Sequence, residues 1–387
     1  MKYVYLDNNS TTQTDKEVVD AMVEFYNESY GNPSSFHSIG QKNREVVESS
    51  RKKISELLHI NYSELVFTSC GTESNNVAIK GIAYAYKEKG RHIITSKTEH
   101  PSVLNVCKAL EKDGFEVTFL DVDENGYISI ECLKEELRED TILVSIMHGN
   151  NEIGTIQDIE SIGEIVANSN AFFHVDAVQT VGKIPVEIKK WKIDLLSFSG
   201  HKFYGPKGIG GLYIRGGIRL KKLMDGGHQE RNRRPGTENI AGIVGMTRAL
   251  EISMENMDKL YHQEKELRDF LQQELYKKIP EIRINAEKAN RLPGTLSITI
   301  KYVEGESILL NLDNAEIACS SGSACSSDDL EPSYVILAIG VPISEAHGTI
   351  RFGIGKHNTK EDMDLVIEKL PEIIGKLRKM SPLWEGE

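Results

Sequence analysis

The chain lacks any apolar run of membrane-spanning length, and its start, Met1-Lys2-Tyr3-Val4-Tyr5-Leu6-Asp7, carries neither a signal-peptide hydrophobic region nor a cleavage site. A cytoplasmic address is therefore expected. It also lacks a basic excess: 46 Lys and Arg stand against 58 Asp and Glu, a formal charge of -12, which argues against non-specific nucleic-acid binding. Cysteine is scarce. Five residues, an odd number and without CxxC pairing, fit reduced thiols better than a disulfide framework. There is no internal repeat and no low-complexity segment.

What is present is a soluble, globular composition, 39% hydrophobic and 27% charged, over 387 residues. That length suits one large domain plus a smaller one. From Leu65 onward, short β-rich runs alternate with helical segments: Leu65-Val66-Phe67-Thr68, His92-Ile93-Ile94-Thr95, Glu116 to Leu120, Ile142 to Met147, Ala171 to Val175 and Ile193 to Phe198. This alternation predicts an α/β fold with a mainly parallel sheet, and Gly208 to Ile214 adds one antiparallel strand. Helices are expected from about Lys16, over Gln41 to Leu58, and as one long stretch from about Val244 to Lys278 that bridges two domains. Gly226 to Asn239 reads as a polar loop. Strands at Gly294 to Ile300 and Ile350 to Gly353, with helices at Gly305 to Leu312 and Lys360 to Met380, make up a smaller α+β domain. The division expected is residues 15–255 for the large domain, and 1–14 with 256–387 for the small one.

The stretch Ser199-Gly200-His201-Lys202 follows the apolar run Ile193 to Phe198 and precedes Gly205, Pro206 and Gly208, so Lys202 sits where strand becomes loop. Ligands of open α/β sheets bind beyond the carboxyl ends of strands, which makes Lys202 a candidate Schiff-base lysine; a solvated loop lysine is the alternative. Cys70-Gly71-Thr72 opens a helix after a strand and reads either as an anion site or as an ordinary N-cap. His100, in Glu99-His100-Pro101-Ser102, either titrates or stacks on a flat ring, or is structural. Asp176, just past an apolar strand, is either an N-cap or a partner for a cationic ring nitrogen, and Asn151 a ring or substrate contact or simple turn chemistry. Together, these strand ends form the parts list of a pyridoxal phosphate site.

Two features lie further along. Ala318-Cys319-Ser320-Ser321-Gly322-Ser323-Ala324-Cys325-Ser326-Ser327 is too small in its side chains to pack a core. It suits a thiol that must travel to a substrate, or an incidental cysteine in a flexible loop. Metal binding is not expected, because Cys319 and Cys325 lack CxxC spacing and no histidine cluster accompanies them. Arg351, in apolar surroundings, needs an anion, either a substrate carboxylate or a structural salt-bridge partner.

With these residues in hand, the chain resembles the cysteine desulfurases of the nitrogenase-maturation and iron-sulfur-cluster type, a class V aminotransferase-fold family. The motifs run nearly end to end: Leu6-Asp7-Asn8-Asn9 with Thr11-Thr12, Gly31-Asn32-Pro33-Ser34-Ser35, Thr72-Glu73-Ser74-Asn75, Thr98-Glu99-His100, Asn150-Asn151-Glu152-Ile153-Gly154, His174-Val175-Asp176, Ser197 to Lys202, and Ser320 to Cys325.

The resemblance implies an aminotransferase-like large domain and pyridoxal 5'-phosphate as cofactor, held covalently by Lys202. Asp176 would pair with the ring nitrogen, Gln179 contact the ring hydroxyl, and His100 stack on the ring and shuttle protons. Gly71, Thr72, Ser199 and His201 would hold the phosphate, joined by Thr237 of the partner subunit in a homodimer. Asn151 and Arg351 would bind L-cysteine. Cys325 would take the sulfur as a persulfide, release L-alanine, and pass the sulfur to an iron-sulfur scaffold or another acceptor protein. The alternatives are a selenocysteine lyase-like enzyme and a non-catalytic sulfur-transfer platform. Ser10 and Pro235 depart from the family's usual residues.

Overall fold

The computed structural model describes residues 3–321, 331–382 and 384. Its centre is a seven-stranded sheet ordered Leu65–Thr68, Gly210–Ile214, Leu195–Ser199, Phe172–Asp176, Thr141–Met147, His92–Ser96, Glu116–Leu120. Gly210–Ile214 runs antiparallel to both neighbours and every other pairing is parallel, so the remaining strands all end at one edge of the sheet.

Side chains alternate across the pleat. Leu65, Phe67, Ile94, Val144, Ile146, Leu196 and Phe198 join an apolar cluster on one face with Val18, Val47, Ile54 and Met246 from the helices Lys16–Asn27, Ser38–Leu57 and Ile240–Glu255. Val66, Ile93, Leu143, Leu195 and Leu212 pack on the other face under Gly71–Tyr86 and Pro101–Lys112. Burial on both faces is why these strands read as continuous apolar runs.

A separate cluster gathers Leu6, Leu271, Leu275, Leu296, Ile298, Ile350, Phe352 and Leu370. It lies on a three-stranded antiparallel sheet ordered Thr349–Gly353, Thr295–Ile300, Ile282–Ile284, with the helices Met257–Lys278, Gly305–Asn314 and Lys360–Met380. Near the amino terminus, Val4–Tyr5 pairs in parallel with Ile317–Ala318.

The single helix expected from Val244 to Lys278 is instead two helices, Ile240–Glu255 and Met257–Lys278. Asn256 divides them: its backbone N–H and its side-chain amide both donate to the Ile252 carbonyl, at 3.2 and 2.8 Å, ending the first helix as a C-cap does. The two stretches then serve different clusters, Met246 and Leu250 one, Leu271 and Leu275 the other.

The loop expected from Gly226 to Asn239 contains a tight turn in which Glu230, Arg231 and Asn232 have φ of 47°, 55° and 63°. Left-handed backbone costs about 1–2 kcal/mol per residue outside glycine. The buried Glu230 carboxylate offsets this by accepting two bonds from Arg51, at 2.8 and 2.7 Å, and one from the Phe67 N–H at 2.9 Å.

Candidate active site

The carboxyl edge of the large sheet opens on a cavity of about 350 Å³. Strand Leu195–Ser199 runs into the single 3-10 turn Gly200–Lys202, which brings Lys202 to the cavity wall. The Lys202 ammonium donates to the carbonyls of Asn9 and Ser10, and the segment around them is clamped to the same turn. Thr12 donates from both its N–H and its hydroxyl to the His201 carbonyl, and its hydroxyl accepts from the Tyr204 N–H. The lysine is thus held by a piece of chain nearly two hundred residues away in sequence.

Asp176 ends the strand Phe172–Asp176 and is almost fully buried. One carboxylate oxygen accepts from the Val178 N–H at 3.0 Å and the other from Asn75 Nδ2 at 2.7 Å. Its neighbour Gln179 donates to the Asn9 carbonyl at 2.8 Å and accepts from Lys183 at 3.2 Å. Burial pulls the Lys183 ammonium down to about 8, against the attraction of Glu264.

Two helices begin at this cavity. Gly71–Tyr86 starts after Cys70, whose side chain makes no capping bond, so the free N–H groups and positive dipole end of a 16-residue helix face the cavity. Gly71 is required by closeness: a Cβ there would stand 2.6 Å from Val178 Cγ2. Beside it, Ser199 Oγ is buried with no hydrogen-bond partner among the described residues. The His201 ring meets Thr11 Oγ1 at 3.1 Å, and burial with the charges of Lys202, Lys207 and Lys183 lowers it to about 4. An uncapped helix start, an orphaned hydroxyl and a cradle that a Cβ would fill suit the phosphate of pyridoxal phosphate.

The second helix, Pro101–Lys112, is capped by His100 itself, whose ring Nδ1 accepts from the Ser102 N–H at 3.1 Å. Pro101 at the first helical position fixes the entry. Burial lowers the His100 pKa, Asp176 opposes this and Lys202 adds to it, so the ring is held toward its neutral form.

Two acids near the site, Glu99 and Glu152, are buried. Glu99 is pushed up to about 8 by burial, although it accepts from the Met147 N–H and the Ser96 hydroxyl; Glu152 is pushed up to about 7 against a bond from Ser333.

Of the residues expected at a site, Lys202, His100, Gly71, Thr72, Asp176, Gln179, Ser199, His201, Asn151 and Arg351 all line this one cavity. Arg351 also carries the structural ion pair: its guanidinium donates to Asp7 at 2.8 Å, to Ser10 Oγ at 2.7 Å and to the Asn151 carbonyl at 3.0 Å. Thr237 is exposed and does not line this cavity, and Cys325 lies outside the described residues. The flanks of Cys325 are fixed here: Ser320 pairs with Arg351 through backbone hydrogen bonds, and Tyr334 donates to the Glu99 carbonyl at 2.6 Å.

Sequence reasoning assigned no role to Asn9, Ser10, Asn75 or Ser102, all of which line the cavity. The signal for Asn75 was its spacing. It falls one turn after Gly71, on the same helix face.

Comparison with known proteins agrees with this geometry. The aminotransferase class-V profile matches residues 4–366. The chain is 52% identical over 379 residues to "Cysteine desulfurase IscS" of Dictyoglomus turgidum, covering 98% of this chain and 96% of that protein. It is 50% identical to the protein of the same description from Methanosarcina thermophila, covering 100% and 95%. Among solved structures, a "NifS-like protein" superposes with a TM-score of 0.92 at 40% identity, covering 97% of this chain and 100% of that one. A NifS-like protein from Rickettsia africae gives 0.88 at 33% identity, with 97% and 100% covered. The chain belongs to the aminotransferase class-V family, among its cysteine desulfurases.

Proposed function

We propose that the chain holds pyridoxal 5'-phosphate in this cavity and removes sulfur from L-cysteine, leaving L-alanine and a persulfide on Cys325. The observation that carries the reading is the convergence, on one cavity, of Lys202, Asp176 and an uncapped helix start with the orphaned Ser199 hydroxyl. Bound there, the cofactor supplies an electron sink for charge left on the substrate α carbon.

Lys202 would hold the cofactor through its amine, which, once exchanged for the substrate amine, is free to take the α proton. Asp176 would face the ring nitrogen and Gln179 the ring hydroxyl. Gly71, Thr72, Ser199 and His201 would hold the phosphate. His100, its ring biased toward neutrality, would stack on the ring and carry protons. Arg351 and Asn151 would bind the substrate, Arg351 through its carboxylate. Cys325 thiolate would form a bond to the substrate sulfur as the carbon–sulfur bond breaks. That sulfur would then pass to an iron-sulfur scaffold or another acceptor protein.

Thr237 would complete the phosphate site of the partner subunit in a homodimer. Exposed apolar side chains between residues 19 and 39, among them Val19, Val23, Tyr26 and Phe36, support such an interface. The separate apolar clusters support residues 15–255 as the large domain, and 1–14 with 256–387 as the small one. A cytoplasmic location, where thiols stay reduced, completes the reading.

Incubation with L-cysteine under reductant tests it. Equal alanine and sulfide are expected from the native chain, and Cys325→Ala is expected to lose both while keeping the visible absorbance of bound cofactor. Desulfuration that survives in Cys325→Ala would overturn the role given to that thiol.

A further inference from the structure

Asn75 sits in the second turn of Gly71–Tyr86, 1% exposed, and its Nδ2 makes two short contacts: Asp176 Oδ2 at 2.7 Å and Ser102 Oγ at 2.8 Å. The amide has no choice of orientation. Flipped, its Oδ1 would face the Asp176 carboxylate, so the acid fixes the nitrogen there even though Oδ1 is left with no partner among the described residues.

With both amide hydrogens engaged, the Ser102 hydroxyl receives one of them and directs its own hydrogen to its other contact, His100 Nδ1 at 2.7 Å. The Ser102 backbone N–H, which can only donate, also points at Nδ1 at 3.1 Å. Both contacts make Nδ1 an acceptor. In the neutral ring, the proton therefore sits on Nε2.

We propose that Asn75 and Ser102 are positioning residues of this site: one amide nitrogen holds the Asp176 carboxylate and, through the Ser102 hydroxyl, fixes His100 in the tautomer that carries its proton on Nε2. The assignment rests on the reading of the cavity as a pyridoxal phosphate site. It couples the two parts of that site that would keep opposite roles, a carboxylate that would face the cofactor's ring nitrogen and a histidine that would give and take a proton. Of the charged groups that act on the ring, Asp176 and Lys202, the first is joined to it by this relay.

The test reads the histidine directly. Nitrogen-15 NMR of the full chain with labelled histidine, with and without cofactor, is expected to give a neutral His100 protonated at Nε2. In Asn75→Leu, which keeps the volume but has no donor, the Ser102 hydroxyl is no longer directed, and part of the population is expected to move to the Nδ1-protonated form while the Ser102 N–H still favours Nε2. Ser102→Ala removes one donor to Nδ1, which favoured the neutral form, so the His100 titration is expected to move up by about half a unit to one unit. Alanine formation is expected to fall about tenfold in Ser102→Ala, the order of one lost hydrogen bond, and to recover in Ser102→Thr. Protonation of His100 at Nδ1 in the native chain would overturn the proposal, as would an unchanged tautomer and titration in Asn75→Leu and Ser102→Ala. The NMR measurement needs no turnover. Failure of the native chain to make alanine from cysteine would instead overturn the functional reading and leave the tautomer result standing.

Discussion

The two helices that begin at the cavity are built oppositely. Gly71–Tyr86 starts with an N-cap whose side chain makes no capping bond, whereas Pro101–Lys112 starts with a histidine ring that caps its own helix. An open start leaves amide donors for a ligand; a filled start spends the donor on holding a side chain still. On the function proposed above, helix beginnings on one sheet edge divide the labour, one left open for an anion and the other aiming a proton carrier.

The largest expected effect comes from separating cap from chemistry at the filled start. His100→Asn keeps a good N-cap but loses the imidazole, so turnover is expected to fall by about 10²–10⁴-fold with little change in thermal stability. His100→Ala is expected to lose a further ~1 kcal/mol of stability, read by thermal melting. Equal stability losses in both variants would erase the distinction drawn here.

Next comes filling the open start. Cys70→Asp supplies a carboxylate where none caps the helix, and is expected to stabilise the cofactor-free chain by about 1 kcal/mol while weakening cofactor binding roughly tenfold or more. Titration of visible absorbance against added pyridoxal phosphate, beside melting of the cofactor-free protein, measures both. A gain in both would contradict an anion role for that helix.

The smallest effect sharpens the histidine end. Glu99 has its native pKa raised from 4.5 to about 8, so between those values the folded chain binds a proton that the unfolded chain has released. Stability supplied by that neutral acid is therefore lost as pH rises through this window. Glu99→Gln is expected to flatten the decline in melting temperature between about pH 5 and pH 8, leaving the part due to Glu152 and Glu264, both pushed up to about 7 by burial. An identical slope in the variant would remove Glu99 as its source.

Much of this was legible in the chain. Lys202 and Asp176 stand out because each follows an apolar strand, and polarity at the end of such a strand has a structural address. Asn75 and Ser102 do not stand out, since their role arises only when residues on two helices meet. The ion pair of Arg351 with Asp7 joins residues far apart in the chain, and the Lys202 contacts with Asn9 and Ser10 are backbone contacts that no residue type announces. The break at Asn256 escaped for a local reason: its neighbours on both sides favour helix, and only its own carbonyl-capping geometry interrupts the run.

The turn at Glu230 ties a helix to the sheet edge. Its carboxylate is bonded at once to Arg51 on the helix Ser38–Leu57 and to the N–H of Phe67 on the edge strand. Three left-handed residues cannot be afforded until both contacts exist. The segment bearing Thr237 therefore departs from a turn that is held in place by the helix and the sheet edge together. A chain without those contacts would keep its core, yet lose the anchor from which the Thr237 segment departs.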